Sequence, residues 1–169
     1  MDYTRAMTNP AIPIEELLLQ ADAAGVRLEI VSGLPVWEAQ PMYFHQLELD
    51  RIRASIQTRE FRHVSGVYFR FPDGSLKRPD IAILCQQPDP SEFFKPITVI
   101  PEAVVEIISE GYEDKDLKLA PGFYLGQGVK DVLIFDPRAK VIWRHRVDGV
   151  ERLNSPVKIS LECGCECEI

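Results

Sequence analysis

Basic residues are outnumbered by acidic ones in this sequence. Its 169 residues include 19 lysines and arginines against 26 aspartates and glutamates, which gives a formal net charge of -7. A protein that coats nucleic acid needs the opposite balance, because phosphate binding requires a basic surface. The composition therefore disfavours that class, although carboxylates clustered around divalent cations would reverse the sign of the local field.

Long apolar runs and widely spaced cysteines are also lacking. No stretch approaches the roughly 20 apolar residues that cross a bilayer, and the first residues lack the basic-then-apolar order of a signal peptide. We therefore expect no membrane association and a cytoplasmic location. Three of the four cysteines fall within five residues, at positions 163, 165 and 167, which is unlike the spacing of a disulfide framework.

The order of predicted elements indicates a mixed α/β domain. Length and a hydrophobic fraction of 46% suit one domain over residues 1–169, with a flexible tail at 1–11 and a strand extension at 148–169. Periodicity and turn residues predict helices over 13–24, 43–58 and within 116–128, and strands over 27–31, 34–37, 64–71, 78–85, 104–109, 129–135 and 141–147.

Two of these strands carry a carboxylate in apolar surroundings. The run Val104-Val105-Glu106-Ile107-Ile108 is typical of a strand buried on both faces, and Asp80 stands at the mouth of a similar run. A buried ionised carboxylate is costly unless a basic partner or a metal ion compensates its charge. If the two strands are neighbours, their acids would form a site for a hard cation.

Each acid also has a purely structural interpretation. Asp80 can end the turn after Pro79, Glu29 can pair with Arg27 at the surface, and Glu106 can be the buried partner of an arginine, Arg78. Sequence alone leaves these alternatives open beside the metal site.

The one local excess of positive charge follows a helical spacing. Arg51, Ser55, Arg59 and Arg62 recur beside the apolar stripe of the second predicted helix. A solvated helix face is the ordinary interpretation. The functional alternative is a nucleic-acid-binding surface in which Arg51, Arg59 and Arg62 contact phosphates.

Five short pieces occur in a distinctive order: Leu28 to Gly33, His45, Arg78 to Ala82, Val105 to Ser109, and Tyr124 to Pro137. In order and separation they resemble the putative restriction endonuclease family, formerly a domain of unknown function, of the PD-(D/E)XK nuclease superfamily. The resemblance runs from about Arg27 to Arg144. It implies a restriction-endonuclease-like core with a central mixed β-sheet flanked by helices.

The resemblance also implies an activity, that of a metal-dependent DNA endonuclease. Asp80 and Glu106 would bind Mg²⁺ or Mn²⁺, and Glu29 would add a third catalytic carboxylate. A carboxylate-held divalent cation suits phosphodiester hydrolysis because it activates water and neutralises charge beside phosphorus. Oxygen ligands without clustered histidine or cysteine favour Mg²⁺ or Mn²⁺ over zinc. Since cutting both strands usually needs two active sites, a homodimer is expected.

The sequence departs from this family at its lysine. In the superfamily the lysine lies two residues after the acid that matches Glu106, and this chain has Ile108 there. In most members of this family the lysine lies instead in the next helix, at a position where this chain has Ala120. Lys118 and Lys115 are the nearest candidates, and Lys118 is predicted to stabilise charge if the segment before Pro121 is not regular helix. Without such a lysine the enzyme would be slow or dead. That favours the alternative of a catalytically inactive nuclease-like domain that binds a protein or nucleic acid.

Histidine and cysteine have ordinary interpretations here. His45 lies on an apolar helix stripe and is predicted to be a packed, hydrogen-bonded core residue. Cys163, Cys165 and Cys167 would share one face of a terminal strand, where neighbouring thiols stand about 7 Å apart. One zinc ion cannot bridge that distance unless Gly164 bends the chain. Buried thiols are therefore expected, and a zinc or thiol protein is the third functional alternative.

Overall fold

The computed structural model describes residues 13–38, 40–58, 62–111 and 115–169. Its α-helices are α1 (Ile14–Ala23), α2 (Tyr43–Ser55) and α3 (Ala120–Gly126), the last preceded by a π-helical turn, Lys115–Leu119. The strands are β1 (Leu28–Val31), β2 (Leu34–Trp37), β3 (Arg62–Val64), β4 (Phe69–Arg70), β5 (Leu76–Lys77), β6 (Ile81–Leu84), β7 (Ala103–Ile107), β8 (Asp131–Asp136), β9 (Val141–Arg146), β10 (Gly149–Asn154), β11 (Lys158–Ser160) and β12 (Glu166–Glu168).

The larger sheet has six strands in the order β10-β9-β8-β7-β6-β3. Only the pairing of β7 with β8 is parallel, so the sheet is mixed, as predicted. Side chains alternate between its faces, and both faces are apolar. One face packs on Leu49 and Ile52 of α2, together with the C-terminal strands. The other packs on Ala120 and Tyr124 of α3. The predicted mixed α/β fold with flanking helices is confirmed.

A smaller sheet, in the order β2-β1-β5-β4, lies beside the first. Helix α1 covers it through Leu18, which packs with Leu28, Ile30 and Leu76. Strand β2 forms one edge of this sheet and contains Pro35. The predicted hairpin over 27–37 is confirmed, because β1 and β2 pair as antiparallel neighbours.

Two predicted strands are wrong in their extent. The strand expected over 64–71 is two strands in different sheets, β3 beside β6 and β4 beside β5. Between them Gly66 adopts a φ of +68°, a conformation that ends extended pairing. The strand expected over 78–85 begins only at Ile81, since the chain passes from β5 to β6 through Arg78 and Pro79, and proline has no N–H for a ladder.

The helix predicted over 43–58 ends earlier, at Ser55. The Ser55 hydroxyl donates to the carbonyl of Ile52, 2.7 Å away, and so competes with the backbone bonds that would continue the helix. The helix predicted within 116–128 is also modified, because its first turn is π-helical and Pro121 lies in the first turn of α3.

The C-terminal extension contains three strands instead of one. Strand β10 extends the larger sheet, and β11 pairs with β12. The expected unbroken cysteine strand is wrong, because Gly164, with a φ of +85°, turns the chain before β12. The expected burial is confirmed for two thiols, Cys165 and Cys167. Burial raises the pKa of Cys165 to about 11 and of Cys167 to about 12, which keeps both protonated at neutral pH.

No helix in the described ranges combines the length and apolar character needed to span a bilayer.

Asp131 joins this extension to the larger sheet, which gives a test of the fold. Its buried carboxylate accepts from Arg144 Nε and from the Glu162 N–H, each at 2.7 Å. We expect Asp131→Ala to lower the free energy of unfolding by about 3 kcal/mol, because it leaves a guanidinium without its buried partner. Urea denaturation measures this. The matched control is Asp148→Ala, which removes an exposed partner of Arg146 and should cost less than about 1 kcal/mol.

Candidate active site

Asp80 and Glu106 meet where β6 and β7 lie side by side. The antiparallel register pairs Ile81 with Val105 and thus sets Asp80 across from Glu106. The Asp80 N–H donates to Glu106 Oε2 at 3.2 Å, and the Ile107 N–H donates to Asp80 Oδ2 at 2.8 Å. Each carboxylate is therefore held by the backbone of the other strand. The structure brings these two predicted site residues together.

Glu106 is buried in this position with no ion pair among the described residues. Its other oxygen, Oε1, accepts from the Tyr124 hydroxyl at 2.6 Å. Burial raises the pKa of Glu106 well above its usual range, and the negative charge of Asp80 raises it further, while the Lys77 ammonium opposes both. The carboxyl group thus retains a proton to unusually high pH unless a cation compensates its charge.

Glu29 lies near these acids but pairs with a lysine that sequence analysis overlooked. Lys77 Nζ donates to Glu29 Oε2 at 2.8 Å in a fully buried pair, and the Arg78 N–H donates to Glu29 Oε1 at 3.1 Å. The ammonium also lies 5.1 Å from the centroid of the Tyr124 ring. A buried lysine is rare, but the signal was present, since Glu29 between two apolar strand residues requires a cationic partner.

Two of the structural alternatives are wrong. Glu29 does not pair with Arg27, whose Nε instead faces Glu38 Oε2 at 3.6 Å. Glu106 does not pair with Arg78 either, because the guanidinium of Arg78 donates to the same Glu38 at 3.0 Å. These arginines leave the charge of Glu106 uncompensated.

His45 is buried and hydrogen-bonded, as predicted, and its partner is the site acid Asp80. The distance from His45 Nε2 to Asp80 Oδ2 is 3.0 Å. Burial lowers the pKa of His45, but the hydrogen bond and the charge of Asp80 outweigh it, so that the net shift is upward. Sequence reasoning found the histidine and missed this contact, because the two residues are 35 positions apart.

The remaining predicted site residues are exposed, are bonded to other residues or lie beyond the described chain. Lys118 is in the π-helical turn with an exposed side chain. Arg51 donates to Glu48 at 2.7 Å, and Arg62 is exposed at the start of β3 instead of continuing the helical stripe. Arg59 and the side chain of Lys115 lie outside the described residues.

The donor set at β6 and β7 is small and consists of oxygen atoms. Within the described ranges, no three histidine, cysteine, aspartate or glutamate side chains are grouped so that they could hold a metal ion. Two adjacent carboxylates nevertheless fit Mg²⁺ or Mn²⁺, because Mg²⁺ usually keeps several waters and binds through one or two carboxylates. The Asp80 side chain is 21% exposed, which leaves an approach from solvent.

The fold resembles that of a solved nuclease-like protein. A crystal structure from Anabaena variabilis ATCC 29413, described as a putative nuclease belonging to DUF820, matches with a TM-score of 0.63 over 81% of this chain and 82% of its own, at 18% identity. The DrdV–DNA complex matches with a TM-score of only 0.38, at 15% identity, over 66% of this chain and 9% of its own. No curated protein matches significantly.

The architecture is thus that of a mixed α/β domain with a central mixed sheet flanked by helices. The family model Uma2, "Putative restriction endonuclease", matches residues 14–162, and the chain belongs to this family.

Glu106→Gln should stabilise the metal-free protein. The amide keeps the shape of the side chain and is neutral, so it avoids the cost of either burying the carboxylate or protonating it. We therefore expect a gain of about 1 to 2 kcal/mol at neutral pH, detectable as a higher melting temperature. Because the folded state holds the Glu106 proton to higher pH than the unfolded state, wild-type stability should fall as pH rises through the range above 4.5. The variant should lack this part of the pH dependence.

Glu168→Gln, at an exposed residue of β12, is the control and should leave the melting temperature unchanged. A lower melting temperature for Glu106→Gln at neutral pH would contradict the assigned burial of charge.

Proposed function

We propose that this protein is a metal-dependent DNA endonuclease whose metal ligands are Asp80 and Glu106. The observation that carries the proposal is the reciprocal hydrogen bonding that holds these two carboxylates side by side. Glu106 is buried there, and no cationic side chain of the described residues lies at ion-pair distance from it. Two strands fixed in this way keep like charges close together, an arrangement that a divalent cation stabilises. Membership of the Uma2 family supports the same class of reaction.

Bound at these acids, Mg²⁺ or Mn²⁺ would supply a Lewis acid and a water of lowered pKa. The chain's own residues prepare the ligands. The Tyr124 hydroxyl orients Glu106, and His45 and the Ile107 N–H orient Asp80 by converging on its Oδ2. Such partners fix ligand geometry and are often nearly as important as the ligands themselves.

Lys77 supplies the positive charge that the superfamily lysine would otherwise give. Glu29 holds its ammonium, which lies 5.1 Å from the Tyr124 ring and opposes the upward shift of the Glu106 pKa. We assign Glu29 and Lys77 as positioning residues that act through Tyr124 and Glu106. Lys118, exposed in the π-helical turn, is assigned to contact the phosphate charge from the solvent side. A homodimer would provide one site for each DNA strand.

Nicking of supercoiled plasmid by purified protein in Mn²⁺ tests the activity directly. We expect cleavage that Asp80→Ala and Glu106→Ala each reduce by at least about 100-fold, because each removes a ligand, and that chelation abolishes. Glu168→Gln serves as the control and should cleave normally. Metal-dependent nicking that survives both ligand substitutions would show that the activity resides elsewhere or in a contaminant.

The Glu29–Lys77 pair gives a second test, which separates positioning from folding. Lys77→Met alone leaves a buried carboxylate unpaired and should destabilise the fold by about 3 kcal/mol. The double variant Glu29→Gln/Lys77→Met removes both charges and should recover most of that stability.

Cleavage should not recover in the double variant, because the positive charge near Glu106 is still missing. Calorimetry should also show weaker Mn²⁺ binding than in wild type. The double variant could instead be stable, cleave DNA and bind Mn²⁺ as the wild type does. That result would restrict the Glu29–Lys77 pair to a structural role.

One observation favours a second candidate, a catalytically inactive nuclease-like domain that acts as a binding module. The Lys77 side chain is only 4% exposed and its ammonium is already paired with Glu29, so it does not contact a substrate directly. This candidate predicts no divalent-metal binding at millimolar concentrations in the same calorimetric titration, and no nicking.

A further inference from the structure

A cavity of about 450 Å³ opens beside Asp80, and Tyr124 is not part of its lining. Its walls come from α2 between Gln46 and Arg53, the bend after β3 and the segment that enters β6. The residues that matter are Arg53 of α2, Ser65 and Gly66 after β3, Arg27 before β1, and Asp80. The volume falls in the range of small-ligand sites, about 300 to 1,000 Å³.

Three polar atoms of this lining are buried without a hydrogen bond to any described residue. They are Arg53 Nε, Ser65 Oγ and Arg27 Nε, the last at ion-pair distance, 3.6 Å, from Glu38 Oε2. Buried polar groups are nearly always satisfied in folded proteins, and each unsatisfied one costs about 1 to 3 kcal/mol. Three potential donors around one cavity therefore indicate a ligand that accepts hydrogen bonds.

One arginine of the lining indicates the sign of that ligand. Arg27, Arg53 and Arg78 share the lining with two carboxylates, Asp50 and Asp80. Glu38 pairs with Arg27 and Arg78, and Asp22 also pairs with Arg78 at 3.5 Å, so the charges of these two arginines are compensated. Arg53, in contrast, has no ion pair within the described ranges, and its guanidinium fork matches a phosphate or carboxylate.

We propose that this cavity binds a backbone phosphate of the nucleic acid, next to the phosphate that the acids would act on, with Arg53 and Ser65 as its principal donors. This proposal rests on the proposed function for its choice of ligand, because Asp80 belongs to both sites. It moves the nucleic-acid contact from the predicted stripe to another side of the same end of α2, since Arg53 is rotated about 200° around the helix from Arg51. Arg51 in that stripe is already bonded to Glu48.

The test is binding of fluorescein-labelled DNA duplexes, followed by anisotropy in EDTA so that no cleavage occurs. Arg53→Gln should weaken binding roughly 10- to 100-fold, the range for a lost charge-assisted hydrogen bond. The loss should be equal for two unrelated sequences, and the slope of log K against log salt should become shallower by about one phosphate contact. Ser65→Ala should weaken binding by a smaller factor.

Arg152→Gln is the matched control, an exposed arginine on β10 at the opposite edge of the larger sheet. It should leave affinity and salt slope unchanged. Equal affinity and slope for Arg53→Gln and wild type, or no DNA binding by wild type, would overturn the subsite. Binding of inorganic phosphate that depends on Arg53, without DNA binding, would overturn its assignment to nucleic acid.

The two proposals fail in different ways. If Arg53-dependent DNA binding is found but no nicking occurs in Mn²⁺, the endonuclease is wrong and the phosphate subsite stands. If nicking occurs but Arg53→Gln leaves DNA affinity unchanged, the subsite is wrong and the endonuclease stands.

Discussion

The crossed hydrogen bonds between the ends of β6 and β7 are the constraint on which the site depends. The Asp80 N–H donates to the Glu106 carboxylate, and the Asp80 carboxylate accepts from the Ile107 N–H. Neither carboxylate can move without breaking its hydrogen bond to the neighbouring backbone. The register of these strands also selects the face on which Glu106 lies. A slip by one residue would turn its side chain away from Tyr124 and towards α2.

The buried acids of the site reduce the stability of the folded protein, and apolar burial in the larger sheet offsets that loss. Glu106 is buried with an elevated pKa, and the Glu29–Lys77 pair is taken out of water almost completely. Neither feature is favourable by itself, because desolvation offsets much of the Coulomb attraction. The apolar residues on both faces of β6, β7 and β8 compensate. Charged groups buried at a cost in stability are typical of functional positions in proteins.

Sequence patterns predicted the central strands and the proximity of Asp80 and Glu106, because burial on both faces leaves a clear apolar run around Glu106. They failed where single residues redirect the chain, at Gly66 and Pro79, since a local break does not reveal that β4 and β5 belong to another sheet. Lys77 was missed for a different reason. Its two-residue strand has no periodicity, and its partner Glu29 is 48 positions away, so only the tertiary structure shows that the lysine is buried.

The outer edge of the smaller sheet limits how this protein can associate with copies of itself. Strand β2 is the edge strand of this sheet, and its Leu34 and Trp37 side chains are largely exposed. An exposed apolar edge strand of this kind is a common place for another strand to pair. Pro35 stands between Leu34 and Trp37 and has no amide hydrogen to offer. Pro35 therefore disfavours the addition of another strand at this edge, so that association through these apolar groups would depend on side-chain packing.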